Sequence, residues 1–142
     1  MTQTVWAHLP NAKHIDWVLA SLNTHPEKWD AAFDAARDAA REAARNAAFD
    51  AARDAANNAA WFAAREAAYN AVWDAAWNAA RTSAYDAIVA LVAYDDCAYM
   101  IESEVDEIKI LAKLGDQRAI LLLPACIVFN ETKALTNASI AV

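Results

Sequence analysis

Residues 30–86 are built almost entirely from one tetrad, [Asp/Asn/Glu]-Ala-Ala-[Arg/aromatic]. It runs Asp30-Ala31-Ala32-Phe33, Asp34-Ala35-Ala36-Arg37, Asp38-Ala39-Ala40-Arg41 and onward to Thr82-Ser83-Ala84-Tyr85, and its first position departs from polarity only at Phe62. Alanine loses no side-chain entropy on becoming helical, and Arg and Glu lose little, so helix propensity here is close to maximal. The whole chain holds 39 Ala, one Gly and three Pro in 142 residues. So few turn formers cannot serve the turns of an all-β domain or the phosphate loops of an α/β one. The expectation is an all-α protein: an alanine-rich multi-helix bundle with a long repeat region and a C-terminal cluster of shorter helices.

The period of four sets a second constraint. A helix turns about 100° per residue, so each tetrad overshoots one turn by about 40° and the alanine stripe drifts around the axis. A straight partner cannot follow that stripe for long, and the drift is opposite in hand to a left-handed coiled coil. The fourth position is mostly Arg early on (Arg37, Arg41, Arg45, Arg53) and mostly aromatic later (Trp61, Tyr69, Trp73, Trp77, Tyr85). This predicts a narrow alanine face backed by Asp–Arg pairs at i, i+3, then a wider apolar face in which the rings fill the core. The alternative for the rings is the lining of a pocket. An unbroken helix from Thr24 to Tyr94 would be about 105 Å long, against a radius of gyration of about 14–15 Å for a compact domain of this size. Either the helix breaks, with Asn57-Asn58 the weakest point and Thr82-Ser83 next, or an elongated homo-oligomer shares it.

One domain over 1–142 accommodates these pieces: an N-terminal helix within 1–23, alanine-rich repeat helices over 24–101 and short helices over 102–142. Asn11–Leu22 reads as an amphipathic helix with Ile15, Val18, Leu19 and Leu22 on one side. Thr24-His25-Pro26-Glu27 has the form of a capping box with Thr24 at the cap. Apolar residues then continue without a breaker through Ile101. Ser103-Glu104-Val105-Asp106 offers another cap, ahead of Ile108, Leu111, Ala112 and Leu114. Gly115 is the natural stop for that helix. Asp116 caps Gln117–Leu123, Pro124 bends or restarts the chain, and the tail after Ala134 is expected to fray.

Charge removes whole classes of function. Twelve Lys and Arg against 19 Asp and Glu give −7 and a pI near 4.8. Binding to a phosphate backbone needs a positive surface, so no direct nucleic-acid ligand is expected, and no adhesion to anionic lipid. A carboxylate every four residues, about 6 Å apart along a helix, suggests an acidic DNA mimic, but arginines three positions on neutralise much of that stripe. The N-terminal residues lack the pattern of a secretory signal. The most apolar stretches, Ala87–Tyr94 and Ala119–Phe129, are too short to span a membrane. Cys97 and Cys126 have no metal-ligand spacing and read as buried free thiols of a cytoplasmic protein, with a structural disulfide as the alternative.

Chemistry candidates are few. Asp95 and Asp96 stand next to Tyr94 inside an otherwise apolar stretch. Buried charges need partners, so one is expected to pair with Arg81 or Arg118 while the other meets water. His8, His14 and His25 have no ligand partner at i+3 or i+4. There is no HExxH, GxSxG, Walker loop or glycine fingerprint. No catalytic residue, metal or cofactor is predicted, and the protein is expected not to be an enzyme. If it binds a small molecule, Trp61, Trp73, Trp77 and Tyr94 would stack a planar, nucleotide-like ligand, with Asp95 or Asp96 and a repeat Arg fixing its polar groups.

The tetrads leading into Ala93-Tyr94-Asp95-Asp96-Cys97-Ala98-Tyr99-Met100, then Leu114-Gly115-Asp116 and Ala119-Ile120-Leu121-Leu122-Leu123-Pro124-Ala125, resemble an uncharacterised alanine-rich helical protein family of phage and bacterial genomes. The resemblance implies a small intracellular accessory protein of phage type and brings no activity with it. The leading expectation is a non-enzymatic helical interaction protein acting on a host protein. A small-molecule-binding protein with an aromatic-lined pocket is the alternative.

Overall fold

The computed structural model describes residues 6–40, 45–59, 62–73 and 78–141, with side chains over 6–38, 49–59, 66–73 and 79–133. The protein is all-helical. Its elements are α1 (Ala12–Thr24), α2 (Pro26–Ala40), α3 (Arg45–Ala59), α4 (Phe62–Trp73), α5 (Asn78–Ala93), α6 (Val105–Lys113) and α7 (Gln117–Ala141), with a 3-10 turn at Ala98–Met100. Among the described residues there is no strand. Helix α5 packs against α1, α2, α3, α4 and α7, and α7 packs in turn against α2, α3 and α6. The start of the repeat therefore lies on its end, so the repeat is a folded stack and not one rod.

Folding back resolves the drift of the tetrad. The third position is buried wherever it is described: Ala32, Ala36, Ala52, Ala56, Ala68, Val72, Ala80 and Ala84. The second position faces outward or is half-buried at every described tetrad but the last, where Ser83 is buried. Helices of 12 to 16 residues hold only three or four tetrads. The stripe then wanders by about 120°, close to the width of one buried helix face. Asn57-Asn58 falls in the last turn of α3, while Thr82-Ser83 lies inside α5 without interrupting it.

Larger side chains make the rest of the core. Ile88 and Leu91 of α5, Met100, Ile101, Ile108 of α6 and Ile120–Leu123 of α7 are fully buried. Trp29 of α2 is buried among them and donates its indole N–H to Ser21 Oγ at 3.1 Å. Trp17 packs on both Trp29 and Phe129, with ring centroids 6.1 and 5.6 Å apart.

Several local expectations are met. Ile15, Val18 and Leu22 form the buried face of α1. At the end of α6, Gly115 takes φ +92°, its N–H bonds Ala112 O at 3.0 Å, and the Asp116 N–H bonds Leu111 O at 3.0 Å. This is a Schellman stop. Asp116 then caps α7, its Oδ1 accepting from the Ala119 N–H at 3.1 Å.

Others are corrected. Thr24 belongs to α1, where its hydroxyl donates back to Ala20 O at 3.1 Å. Lys28 and Trp29 find their N–H acceptor in the carbonyl of His25, so His25 and not Thr24 precedes α2. Ser103 likewise donates backward, to Tyr99 O at 2.8 Å, and Glu104 occupies the cap of α6. Helix α5 stops at Ala93 instead of reaching Ile101. The buried Asn11 amide donates to Leu91 O and Tyr94 O at 3.0 and 2.9 Å, so a residue about eighty positions away satisfies the helix end.

Pro124 neither ends nor restarts a helix: α7 is continuous for 25 residues and its backbone stays helical to Ala141. An interior proline costs about 3 kcal/mol, but every residue from Ala119 to Val128 is buried, and that apolar burial outweighs it. Leu114, expected on the apolar side of α6, is 79 % exposed. No described helix is long and apolar enough to cross a membrane.

Candidate functional site

The tetrad places its fourth residue beside the buried third position, at the rim of each helix seam. Long side chains there do not fit an interface made of methyl groups, so they stand at the edge and enclose space. Arg53 of α3, Tyr69 and Trp73 of α4, and Arg81 and Tyr85 of α5 are all fourth-position residues. With Val72, Thr82 and Asp86 they line a cavity of about 480 Å³. Small-molecule sites span roughly 300–1,000 Å³ and are mainly apolar with a few polar groups.

The rings form one cluster. Tyr69 and Trp73, one helical turn apart, stack with centroids 5.5 Å apart and planes 28° apart. Tyr85 meets Tyr69 edge-on at 5.5 Å, and the Arg81 guanidinium lies 5.0 Å from the Trp73 ring centroid. Tyr69 is 43 % and Trp73 59 % exposed. These two rings therefore are not the core filler expected of them; they are presented to the cavity and to solvent.

Asp86 is the one first-position residue that is buried among the described tetrads, at 4 % exposure. The cause is its helix: from Ala87 through Val92 every α5 residue is buried, so the tetrad's outward position has no solvent left to face. Arg53 reaches it from α3 in a two-pronged contact, Nε to Oδ1 at 2.9 Å and Nη2 to Oδ2 at 3.0 Å. Burial pushes the Asp86 carboxyl above its ordinary range, and the two Arg53 bonds pull against that. The hydrogen bond to Asp86 raises the guanidinium in turn, against desolvation. Both carboxyl oxygens accept an N–H from one fork, which is the geometry of an ionised pair.

Arg53 also borders a second hollow of about 370 Å³, with Phe33, Arg37, Phe49 and Asp50. Arg37 lies 5.5 Å from the Phe33 ring centroid and Arg53 5.8 Å from that of Phe49. The expected i, i+3 pairing occurs at Asp50–Arg53, with N···O 3.9 Å. At Asp34–Arg37 it does not occur, because the Arg37 guanidinium covers the ring one turn back. No ion pair to Arg37 exists among the described residues.

The residues singled out from sequence are scattered. Trp73 lines the first cavity. Trp61 and Trp77 lie outside the described residues. Tyr94 follows the far end of α5 and borders a separate hollow with Gly115, Asp116, Gln117 and Arg118. Asp95 and Asp96 are exposed, and Asp96 pairs with Arg118 at 3.4 Å. The structure thus does not bring Tyr94, Asp95 and Asp96 to Trp73. Sequence reasoning included Tyr69 and Tyr85 among rings that could line a pocket but left them out of the ligand-stacking set, and it missed Arg53, Arg81 and Asp86 as their neighbours. The signal was the fourth position itself, which four of them share.

The thiols offer no reactive group. Cys97 and Cys126 are free and buried. Their Sγ atoms lie 3.5 Å from Ala90 O and 3.4 Å from Ser103 O. Burial pushes their pKa values up to about 12 and about 11, away from the thiolate that reactivity requires. Among the described residues no three His, Cys, Asp or Glu side chains gather as a metal site would need. Comparison with protein families, with curated proteins and with solved structures finds no match to the chain.

Proposed function

We propose that the protein is a non-enzymatic binding protein whose cavity among α3, α4 and α5 takes a small planar aromatic molecule. The observation that carries this reading is the Arg53–Asp86 pair set in the wall of a cavity rimmed by the partly exposed rings of Tyr69 and Trp73. A buried ion pair is seldom worth its desolvation for stability alone, and exposed stacked rings forgo burial they could have had. Together they supply what an aromatic ligand needs: ring faces to stack on and fixed donors for its edge. A cytoplasmic setting belongs to this reading, and two free buried thiols support it.

The test is calorimetric titration with a panel of nucleosides and nucleobases. Binding of at least one is expected, and Trp73→Ala or Tyr85→Ala should weaken it tenfold or more with the unfolding transition intact. No heat and no thermal shift across the panel would end the reading. Ile110 and Leu114 favour a second reading, a protein-partner role: one in the last turn of α6 and the other at its C-cap, they are 59 % and 79 % exposed. There, Ile110→Ser with Leu114→Ser should abolish a pull-down that Tyr85→Ala leaves intact.

A further inference from the structure

Two hollows share one wall. Arg53 borders both the aromatic cavity and the hollow formed by Phe33, Arg37, Phe49 and Asp50, so a group seated in either meets the same guanidinium. The two differ in character. Three rings, Tyr69, Trp73 and Tyr85, line the first. In the second the polar groups are two arginines and one carboxylate.

The carboxylate, Asp50, is 75 % exposed and touches Arg53 Nη1 only at 3.9 Å. It therefore neutralises the site weakly, since exposed pairs at that distance are heavily screened. The Arg53 fork is committed to Asp86 through Nε and Nη2, which fixes the plane of the guanidinium and leaves Nη1 with no closer partner than Asp50. Arg37, whose guanidinium lies over the Phe33 ring, is paired with no described carboxylate. Two guanidiniums line one hollow in a chain of net charge −7: the charge of Arg53 is balanced by Asp86, while Arg37 keeps its own. Planar guanidiniums match the oxygens of a phosphate, as they do those of a carboxylate, in both shape and charge.

Resting on the cavity reading above, we infer that the ligand is a planar aromatic ring carrying a phosphate monoester, of the nucleoside monophosphate class. The ring sits against Tyr69, Trp73 and Tyr85, and the phosphate is received by Arg37 and by Nη1 of Arg53. Arg53 is then the hinge between the subsites: Asp86 orients it and it presents its free edge to the anion. The negative surface elsewhere repels polyanions, which selects against nucleic acid and in favour of a single small phosphate.

The experiment compares each nucleoside with its 5′-monophosphate by calorimetric titration, for purine and pyrimidine pairs at low salt, on the wild-type chain and on Arg37→Ala. Arg37 is half-buried at the surface, and an unchanged thermal transition checks that the variant is folded. For the tightest ring, the monophosphate should bind at least tenfold more strongly than the nucleoside. Arg37→Ala should cut that gain at least threefold while leaving nucleoside affinity unchanged, and Arg37→Lys should keep more of it. Equal affinities for nucleoside and monophosphate in the wild type would overturn this inference and leave the cavity reading standing. A phosphate gain that Arg37→Ala leaves undiminished would overturn the assigned phosphate site. Failure of every probe would remove the cavity reading, and this inference with it.

Discussion

The two halves of the molecule solve the packing problem with opposite materials. Helix α7 buries Ile120, Leu121, Leu122, Leu123, Ile127 and Val128, side chains large enough to fill whatever lies between it and its neighbours. Helices α2 to α5 meet through Ala32, Ala36, Ala52, Ala56, Ala68, Ala80 and Ala84, which let backbones approach but fill almost nothing. Interior space in the first half is consumed by aliphatic volume. In the second, the fourth-position residues Arg53, Tyr69, Trp73, Arg81 and Tyr85 stay at the rim, and space is left between them. A stripe of alanines can thus make a tight seam and a cavity at once, because what it excludes from the seam becomes the wall of the hollow.

The largest expected effect separates core rings from cavity rings. Trp29→Ala removes a fully buried indole and its bond to Ser21, and should cost about 3–5 kcal/mol in denaturant unfolding. Tyr69→Ala, on a half-exposed ring beside the cavity, should cost no more than about 0.5 kcal/mol. Equal losses would show that the rings of α4 are core after all, and would erase the distinction between the halves.

Next comes the ion pair. Arg53→Ala leaves the Asp86 carboxylate buried without its partner and should cost about 3 kcal/mol, the low end for breaking a buried pair, since Arg53 itself is partly exposed. Replacing both, with Arg53→Leu and Asp86→Leu, should recover most of that loss. A double variant as unstable as the single one would mean the pair is a structural strut of the repeat half, and its value as a mark of a site would go.

What could be read from the chain divides along the same line. The all-helical class, the Gly115 stop and the Asp116 cap follow from local chemistry, where a residue and its neighbours within one turn decide the outcome. The aromatic wall was half legible: Trp73 was identified from its ring, but its companions Tyr69 and Tyr85 share only a position in a repeat, and which repeats meet depends on where the chain folds back. Asp86 was not singled out, because it holds the same first position of the tetrad as the exposed Asp34 and Asp54, and only the apolar run that follows it sets it apart. Only the centrality of α5 buries it. Pro124 and Thr24 failed for the converse reason: a local signal was strong, and tertiary packing or a backward hydrogen bond overrode it.

The thiols give a smaller effect confined to the densely packed half. Their folded pKa values, about 12 for Cys97 and about 11 for Cys126, lie above the ordinary 9.0. A raised folded value means that the native state keeps a proton the unfolded chain gives up. The stabilisation is therefore complete below pH 9.0 and is lost as pH rises from there through the folded values. For Cys97 alone the loss by pH 10 should be about 1.4 kcal/mol, read as the difference in alkaline slope between wild type and Cys97→Ala. Parallel slopes would mean that the thiol ionises as easily folded as unfolded, and that the packing around it is loose.

The smallest effects compare the two helix starts. Asp116→Ala removes the side-chain acceptor of the Ala119 N–H at the head of α7 and should cost about 1 kcal/mol. Thr24→Ala, at the junction where sequence suggested a cap, removes only a hydroxyl that bonds back into α1, and should change stability by less than about 0.5 kcal/mol. Chemical denaturation of the two variants side by side decides it. A Thr24 loss equal to that of Asp116 would show that α2 does depend on a threonine cap, so that the repeat is held by local signals as firmly as the C-terminal half. The expected inequality says instead that α2 is kept in place by what lies on its alanine face, chiefly α5 and α7, and that its N-terminus merely follows.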